Sequence, residues 1–239
     1  MLNNHYIGID GFINGWCCCI TSKDNSIVIE LHEKIESVVK KYNHVKKIFV
    51  DMPIGLSNTD VERVIDKNLR ELLPRKIKSS VFTPPCREAL CSHDYKEANE
   101  INKKVIGKGI SIQSWNLNKK INELDELLTN NNSYIDLIRE SHPELCFLKF
   151  NKSVPLECNK KTEKGIHERI KILEKNIQNV ETIIFKTLEQ NKGSKIKKDD
   201  IIDSIILSLS AKKWKENGSR IINQNRKLDS KKIPFAIHY

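Results

Sequence analysis

Two apolar stretches of this chain each run into an aspartate. Ile7-Gly8-Ile9 ends at Asp10, just before Gly11, and Ile48-Phe49-Val50 ends at Asp51, just before Met52-Pro53. An acid at the end of a strand lies where α/β sheets bind ligands. An Asp before Gly is also an ordinary turn former, so neither residue argues for chemistry by itself. If the two strands are parallel neighbours, both carboxylates meet at one end of the sheet. Two such acids repel unless a cation or a proton lies between them, and that pairing is what marks a candidate site.

A third group is Asp199-Asp200-Ile201-Ile202-Asp203. Asp200 and Asp203 are three apart, so on a helix they share a face. Acids in a first helical turn also cap it and offset its dipole, and Asp199 is expected to do that alone. Asp203 lies inside the run Ile201, Ile202, Ile205, Ile206, Leu207 and Leu209, where an unpaired charge is costly. A metal ion or a Lys or Arg partner would remove the difficulty. Acids on two strand ends and a helix suit Mg²⁺ or Mn²⁺, hard cations that take oxygen ligands and keep several waters. Glu144, in Ser141-His142-Pro143-Glu144, is a further ligand or acid/base candidate, and His142 is expected to be satisfied by a backbone carbonyl.

The elements that must carry these residues follow from the hydrophobic pattern. Strands are expected at 5–10, 15–21, 26–31 and 47–51, with a short helix at 33–42 between the last two. After Pro53 the strand rhythm stops. Residues 61–73, 94–105 and 113–128 read as helices, so 53–132 is expected to be a mainly helical insertion. A strand at 133–139 follows, then a helical stretch at 162–190 broken near 178–180. A final amphipathic helix is expected at 199–216, and a short closing strand at 234–239. Three meander strands followed by crossovers make a mixed five-stranded sheet with helices on both faces. That is the ribonuclease H-like arrangement of an α/β protein, read here as a single domain over residues 1–239.

Composition narrows the classes. The 239 residues are enough for one large domain, and no apolar run reaches membrane-spanning length. The net charge of +10 draws such a chain to polyanions. Its lysines are spread along the sequence, so charge alone does not name a partner. Cys17, Cys18 and Cys19 are consecutive. Neighbours on a strand point to opposite faces, so they read as small hydrophobes rather than a chelate. An odd cysteine count of seven and no signal peptide suit a reducing, cytoplasmic location.

Six stretches in order resemble the family filed as domain of unknown function 429, described as ribonuclease H-like nucleases. They are Gly8-Ile9-Asp10-Gly11 with Gly15-Trp16, the run from Val50 to Leu56, the run from Ser80 to Arg87, Gly107 to Ser111 with Gln113 to Asn116, Glu140 to Glu144, and Asp199 to Ser204. The resemblance implies metal ligation by Asp10, Asp51, Asp200 and Asp203, as in the similar carboxylate layout of Holliday-junction resolvases, with Glu144 as a fifth catalytic acid. Ser204 stands where the related motif usually has Ala, and the helical insertion has no counterpart in the resolvases. The resemblance also marks Arg75, Arg87, Lys108 and Gln113, with Arg70 and Asn116, as residues that could clamp a phosphate. The implied function is a metal-dependent nuclease or phosphodiesterase acting on nucleic acid or a nucleotide-like phosphate. Alternatives are a small-molecule phosphohydrolase, a non-catalytic nucleotide or nucleic-acid binder, and an ATP-binding protein of the actin and sugar-kinase type in which Gly8 to Gly11 opens a phosphate loop.

Overall fold

The computed structural model describes residues 5–217 and 220–239. In chain order the first elements are β1 (Tyr6–Phe12), β2 (Gly15–Thr21), β3 (Ile27–His32), α1 (Ile35–Lys41) and β4 (Lys47–Val50). Then come α2 (Ile65–Leu72), α3 (Tyr95–Ile106), α4 (Ile112–Asn116), α5 (Asn118–Asn130), α6 (Ser133–Leu137) and β5 (Ile138–Ser141). The chain closes with α7 (Pro143–Phe150), α8 (Glu163–Glu174), α9 (Val180–Gln190), α10 (Lys198–Asn217), β6 (Ile221–Leu228) and β7 (Pro234–His238). By packing it divides into two compact units. One is Met1–Asp51, Leu137–Arg220 and His238–Tyr239; the other is Met52–Asp136 and Ile221–Ile237. The stretch 53–132 falls inside the second unit, which also takes in β6 and most of β7.

The first unit is a mixed α/β layer structure with strand order β3-β2-β1-β4-β5. β1 is antiparallel to β2, and β2 to β3, whereas β4 runs parallel to β1 and β5 parallel to β4. Strand alternation sorts the side chains. Tyr6, Phe12, Cys17, Cys19 and Phe49 join the cluster built with Ile201, Ile202, Ile205 and Ile206 of α10. The alternate set, Ile7, Ile9, Cys18, Ile48 and Val50, is equally buried, and α1, which packs on β2 and β3, buries Ile35, Val38 and Val39. Both faces of the sheet are therefore covered, and all seven residues of β2 are buried. The three cysteines are free and buried, on alternating faces as their spacing requires.

Gly8 sets how closely α10 approaches. A Cβ there would lie 2.1 Å from the Ser204 carbonyl oxygen and 2.2 Å from the Ser208 nitrogen. The helix backbone thus rests directly on β1. Small residues on α10 permit this. Ser204 and Ser208 turn their hydroxyls back to the carbonyls of Ile201 and Ile205 (2.8 Å each), and Ser208 also meets Thr21 at 2.6 Å.

Five expectations need correction. Seven strands occur among the described residues rather than five. β6 carries the polar sequence Ile-Ile-Asn-Gln-Asn-Arg-Lys-Leu and neighbours one strand only, β7, so burial imposes no apolar alternation on it. Residues 133–137 are a helical turn, not strand. Asn131 Oδ1 accepts from the Ser133 nitrogen and hydroxyl (3.1 and 2.7 Å), and that local turn outweighs the β preference of Tyr134 and Ile135. The helix expected at 113–128 is two, parted at Leu117, because buried Asn118 donates to the Leu90 carbonyl (2.7 Å) and fixes a new start. The expected elements leave 143–150 unassigned, and the chain forms α7 there. Its Pro143 occupies the first helical turn, where proline favours a helix. The break expected at 178–180 begins earlier, since α8 ends at Glu174.

The second unit is held by ion pairs as well as apolar packing. Buried Arg63 forks onto Asp66 (2.8 and 3.0 Å) and donates to the carbonyls of Ile54 and Gly55 (2.7 and 3.0 Å). Gln224 of β6 accepts from Val64 N (2.8 Å) and donates to the Glu62 carbonyl (2.6 Å). α3 has Asp94 as its N-cap and left-handed Gly107 at its C-terminal end. No helix among the described residues is long and apolar enough to cross a membrane.

Candidate metal centre

The register fixes where the acids fall. Ile9 pairs with Val50 in parallel, and the Asp51 nitrogen donates to the Ile9 carbonyl (2.9 Å). Asp10 and Asp51 are thus neighbours at the carboxyl ends of adjacent strands. Each lies two residues beyond Gly8 and Phe49, so alternation turns both toward the face that α10 covers. The contact at Gly8 brings the first turns of α10 to the same place. Asp203 is fully buried there.

The acids act on one another's charge. Burial, then Asp51 and Asp203, push the Asp10 carboxyl well above the usual range. Asp51 is pushed up to about 7, by burial first and then by Asp203, Glu140 and Glu144 against the opposing pull of Lys160. Asp200 is raised to about 6 by burial and by the nearby acids Asp199 and Asp203. Glu144 is raised by burial, with Arg169 opposing. Asp203 is thus within electrostatic reach of Asp10, Asp51, Asp200 and Glu144.

Their individual bonds differ. Asp10 Oδ1 accepts from Gly11 N (2.9 Å), the turn geometry its sequence suggested. Asp200 reaches back to Lys197 N (2.8 Å), so the capping role expected of Asp199 is filled by Asp200. Glu144 is gripped through both oxygens by Arg169 (2.7 and 2.8 Å), and both side chains are almost wholly buried. Asp203 Oδ2 accepts from the Lys160 ammonium at 2.5 Å. Its other oxygen, Oδ1, is buried without a hydrogen-bond partner. An acceptor left bare in an apolar setting costs free energy, and an oxygen-only donor set of this kind suits a hard divalent cation. In donor chemistry, though not in their present placement, these residues suit a hard cation such as Mg²⁺ or Mn²⁺. Among the described residues no three His, Cys, Asp or Glu side chains are placed so that they could hold a metal ion as they stand; the Lys160 ammonium sits within the cluster instead. Burial works against its charge, but Asp203, Asp10 and Asp51 outweigh burial and hold its pKa above the ordinary lysine value.

Lys160 and Arg169 escaped the sequence reading. A lysine in a loop and an arginine in a helix are the commonest solvated residues, and the one available signal was the unpaired buried Asp203, which demanded a cation. The six expected phosphate contacts, Arg70 and Asn116 among them, lie in the second unit. Arg75 and Gln113 are exposed, and Lys108 pairs with Glu62 at 2.5 Å. Arg87 is bound to both Asp125 and Asp229. That unit holds a cavity of about 490 Å³ lined in part by Arg63, Asp66, Lys67, Arg70 and Lys108. The first unit has a cavity of about 340 Å³ whose wall includes Lys149, Lys152, Lys213, Arg220, Trp214 and Tyr239, with no carboxylate among its lining residues.

No curated protein and no solved structure matches the chain. A family model described as Protein of unknown function (DUF429) matches residues 8–227, a span that includes Asp10, Asp51, Glu144, Asp200 and Asp203. The chain belongs to the DUF429 family.

Proposed function

We propose that the first unit is a ribonuclease H-like core and that the protein is a divalent-metal-dependent phosphodiesterase acting on nucleic acid. The observation that carries this reading is Asp203, which has a buried oxygen without a hydrogen-bond partner and lies within electrostatic reach of Asp10 and Asp51. Asp10, Asp51, Asp200 and Asp203 would hold Mg²⁺ or Mn²⁺. Such an ion supplies Lewis-acid activation of water and charge neutralisation at the scissile phosphate. Arg169 holds Glu144 through both oxygens beside the cluster. The cationic, aromatic-walled cavity of the first unit would bind phosphates and stack bases, as single-strand binding requires.

The 490 Å³ cavity of the second unit favours a second reading, a small nucleotide-like phosphate substrate or a non-catalytic nucleotide binder, because it is of ligand-pocket size. One experiment separates them. Labelled single- and double-stranded RNA and DNA, a hybrid, a junction and small phosphodiesters are incubated with and without Mn²⁺, using Asp10→Asn as control. Cleavage of a polynucleotide that requires both Mn²⁺ and Asp10 is expected. Cleavage of small diesters alone would move the assignment to the second reading, and cleavage that persists in Asp10→Asn would reject the mechanism.

A further inference from the structure

Lys160 lies between α7 and α8, in a segment fixed from several sides. Cys158 N donates to Glu168 (3.0 Å) and the Cys158 carbonyl accepts from Arg169 (3.3 Å). The Asn159 side chain accepts from Lys161 N (3.0 Å), and its carbonyl accepts from the Thr162 hydroxyl (2.8 Å). Thr162 in turn caps α8 through Gly165 N (3.1 Å). Gly165 admits no side chain, because a Cβ there would lie 2.0 Å from the Asn159 carbonyl oxygen. Arg169, which holds Cys158, is itself fixed by Glu144 of the acidic cluster. The backbone that carries Lys160 is therefore tied to the site on both sides of that residue.

The side chain is not tied in the same way. Lys160 is 29% exposed, whereas its partner Asp203 is 1% exposed. Its ammonium ends a flexible four-carbon stem and is a point charge, not a planar fork locked onto both oxygens. It contacts Asp203 Oδ2 and leaves Oδ1 bare. Its partial exposure sets the side chain beside water.

We propose that Lys160 is a tethered cation that occupies the divalent ion's place among Asp10, Asp51 and Asp203, and that a metal ion binds by expelling its ammonium into solvent. This rests on the metal reading above. It makes metal affinity a competition that the protein itself sets, and it gives the ion-free site a resident cation. Full-length protein is titrated with Mn²⁺, and acylation of each lysine by an amine-reactive ester is followed by mass spectrometry at fixed pH. Saturating Mn²⁺ is expected to speed acylation of Lys160 several-fold and to leave distant lysines unchanged. Removing the competing charge in Lys160→Met is expected to tighten Mn²⁺ binding by at least about tenfold in calorimetry. Unchanged Lys160 reactivity with Mn²⁺ bound, or equal affinity in a folded Lys160→Met, would overturn the proposal while leaving the metal site standing. Absence of Mn²⁺ binding by both proteins would overturn the metal reading and this inference together.

Discussion

Replacing Gly8 by alanine tests how the fold makes the site. The added methyl would meet the backbone of α10 at Ser204 (2.1 Å), Ser208 (2.2 Å) and Leu207 (2.8 Å). Ordinary contact begins at 3.4 Å, and main-chain atoms cannot rotate aside as a side chain can. Relief requires the helix to retreat from β1. A gap of 0.5–1 Å already forfeits about a quarter to a half of the dispersion energy of the atoms lining it, and Ile201, Ile205 and Ile206 line this seam. Overpacking typically costs about 1–3 kcal/mol, and a backbone clash on this scale belongs at or beyond the top of that range. In a chain of this size about 3 kcal/mol corresponds to a fall of roughly 6–12 °C in Tm. Thermal and urea unfolding followed by circular dichroism measure it. A loss below about 0.5 kcal/mol, the range of a neutral surface change, would refute the direct seating of α10 on β1.

Three further outcomes follow from named contacts. Arg169→Met leaves the buried Glu144 carboxylate without its partner, so a loss of about 3–5 kcal/mol is expected in urea unfolding; adding Glu144→Gln should recover much of it. Arg87→Met strips one cation from Asp125 and Asp229 and should destabilise the protein by about 3 kcal/mol, whereas a residue kept solely for substrate would leave stability unchanged. His238 packs against Phe49 and Trp214 with ring centroids 6.0 and 5.7 Å away. Burial, then Arg139 and Lys47, lower its pKa from 6.5 to about 3. The unfolded chain therefore binds the proton first, and stability held above pH 6.5 is lost as pH falls toward 3. His238→Phe should remove on the order of a few kcal/mol of that acid-side loss, read as a flatter stability curve between pH 6.5 and 4.

Much of the first unit was legible because burial on both faces writes itself into the sequence. Continuous apolar runs marked β1, β2 and β4, and the acids that end two of them stood out against that background. Asp203 was legible for the same reason, as a charge inside an isoleucine-rich helix. What was missed is polar. β6 has no apolar pattern to display, α6 depends on one Asn131 side chain, and α7 begins at a proline that reads equally as a loop. Lys160 was invisible because a lysine's partner is decided by a fold that brings residue 160 to residue 203. The same holds for Arg87, whose two carboxylates lie 38 and 142 residues away along the chain. A guanidinium seen in sequence alone reads as free for a ligand.

The central claim is that Asp10, Asp51, Asp200 and Asp203 form one divalent-ion site. Mn²⁺ titration of the wild-type chain and of Asp10→Asn, followed by calorimetry with circular dichroism to verify the fold, tests it directly. The account predicts saturable Mn²⁺ binding by the wild type and a loss of at least about tenfold in affinity when one carboxylate is neutralised. Equal affinity in the two folded proteins, or no binding in either, would contradict it.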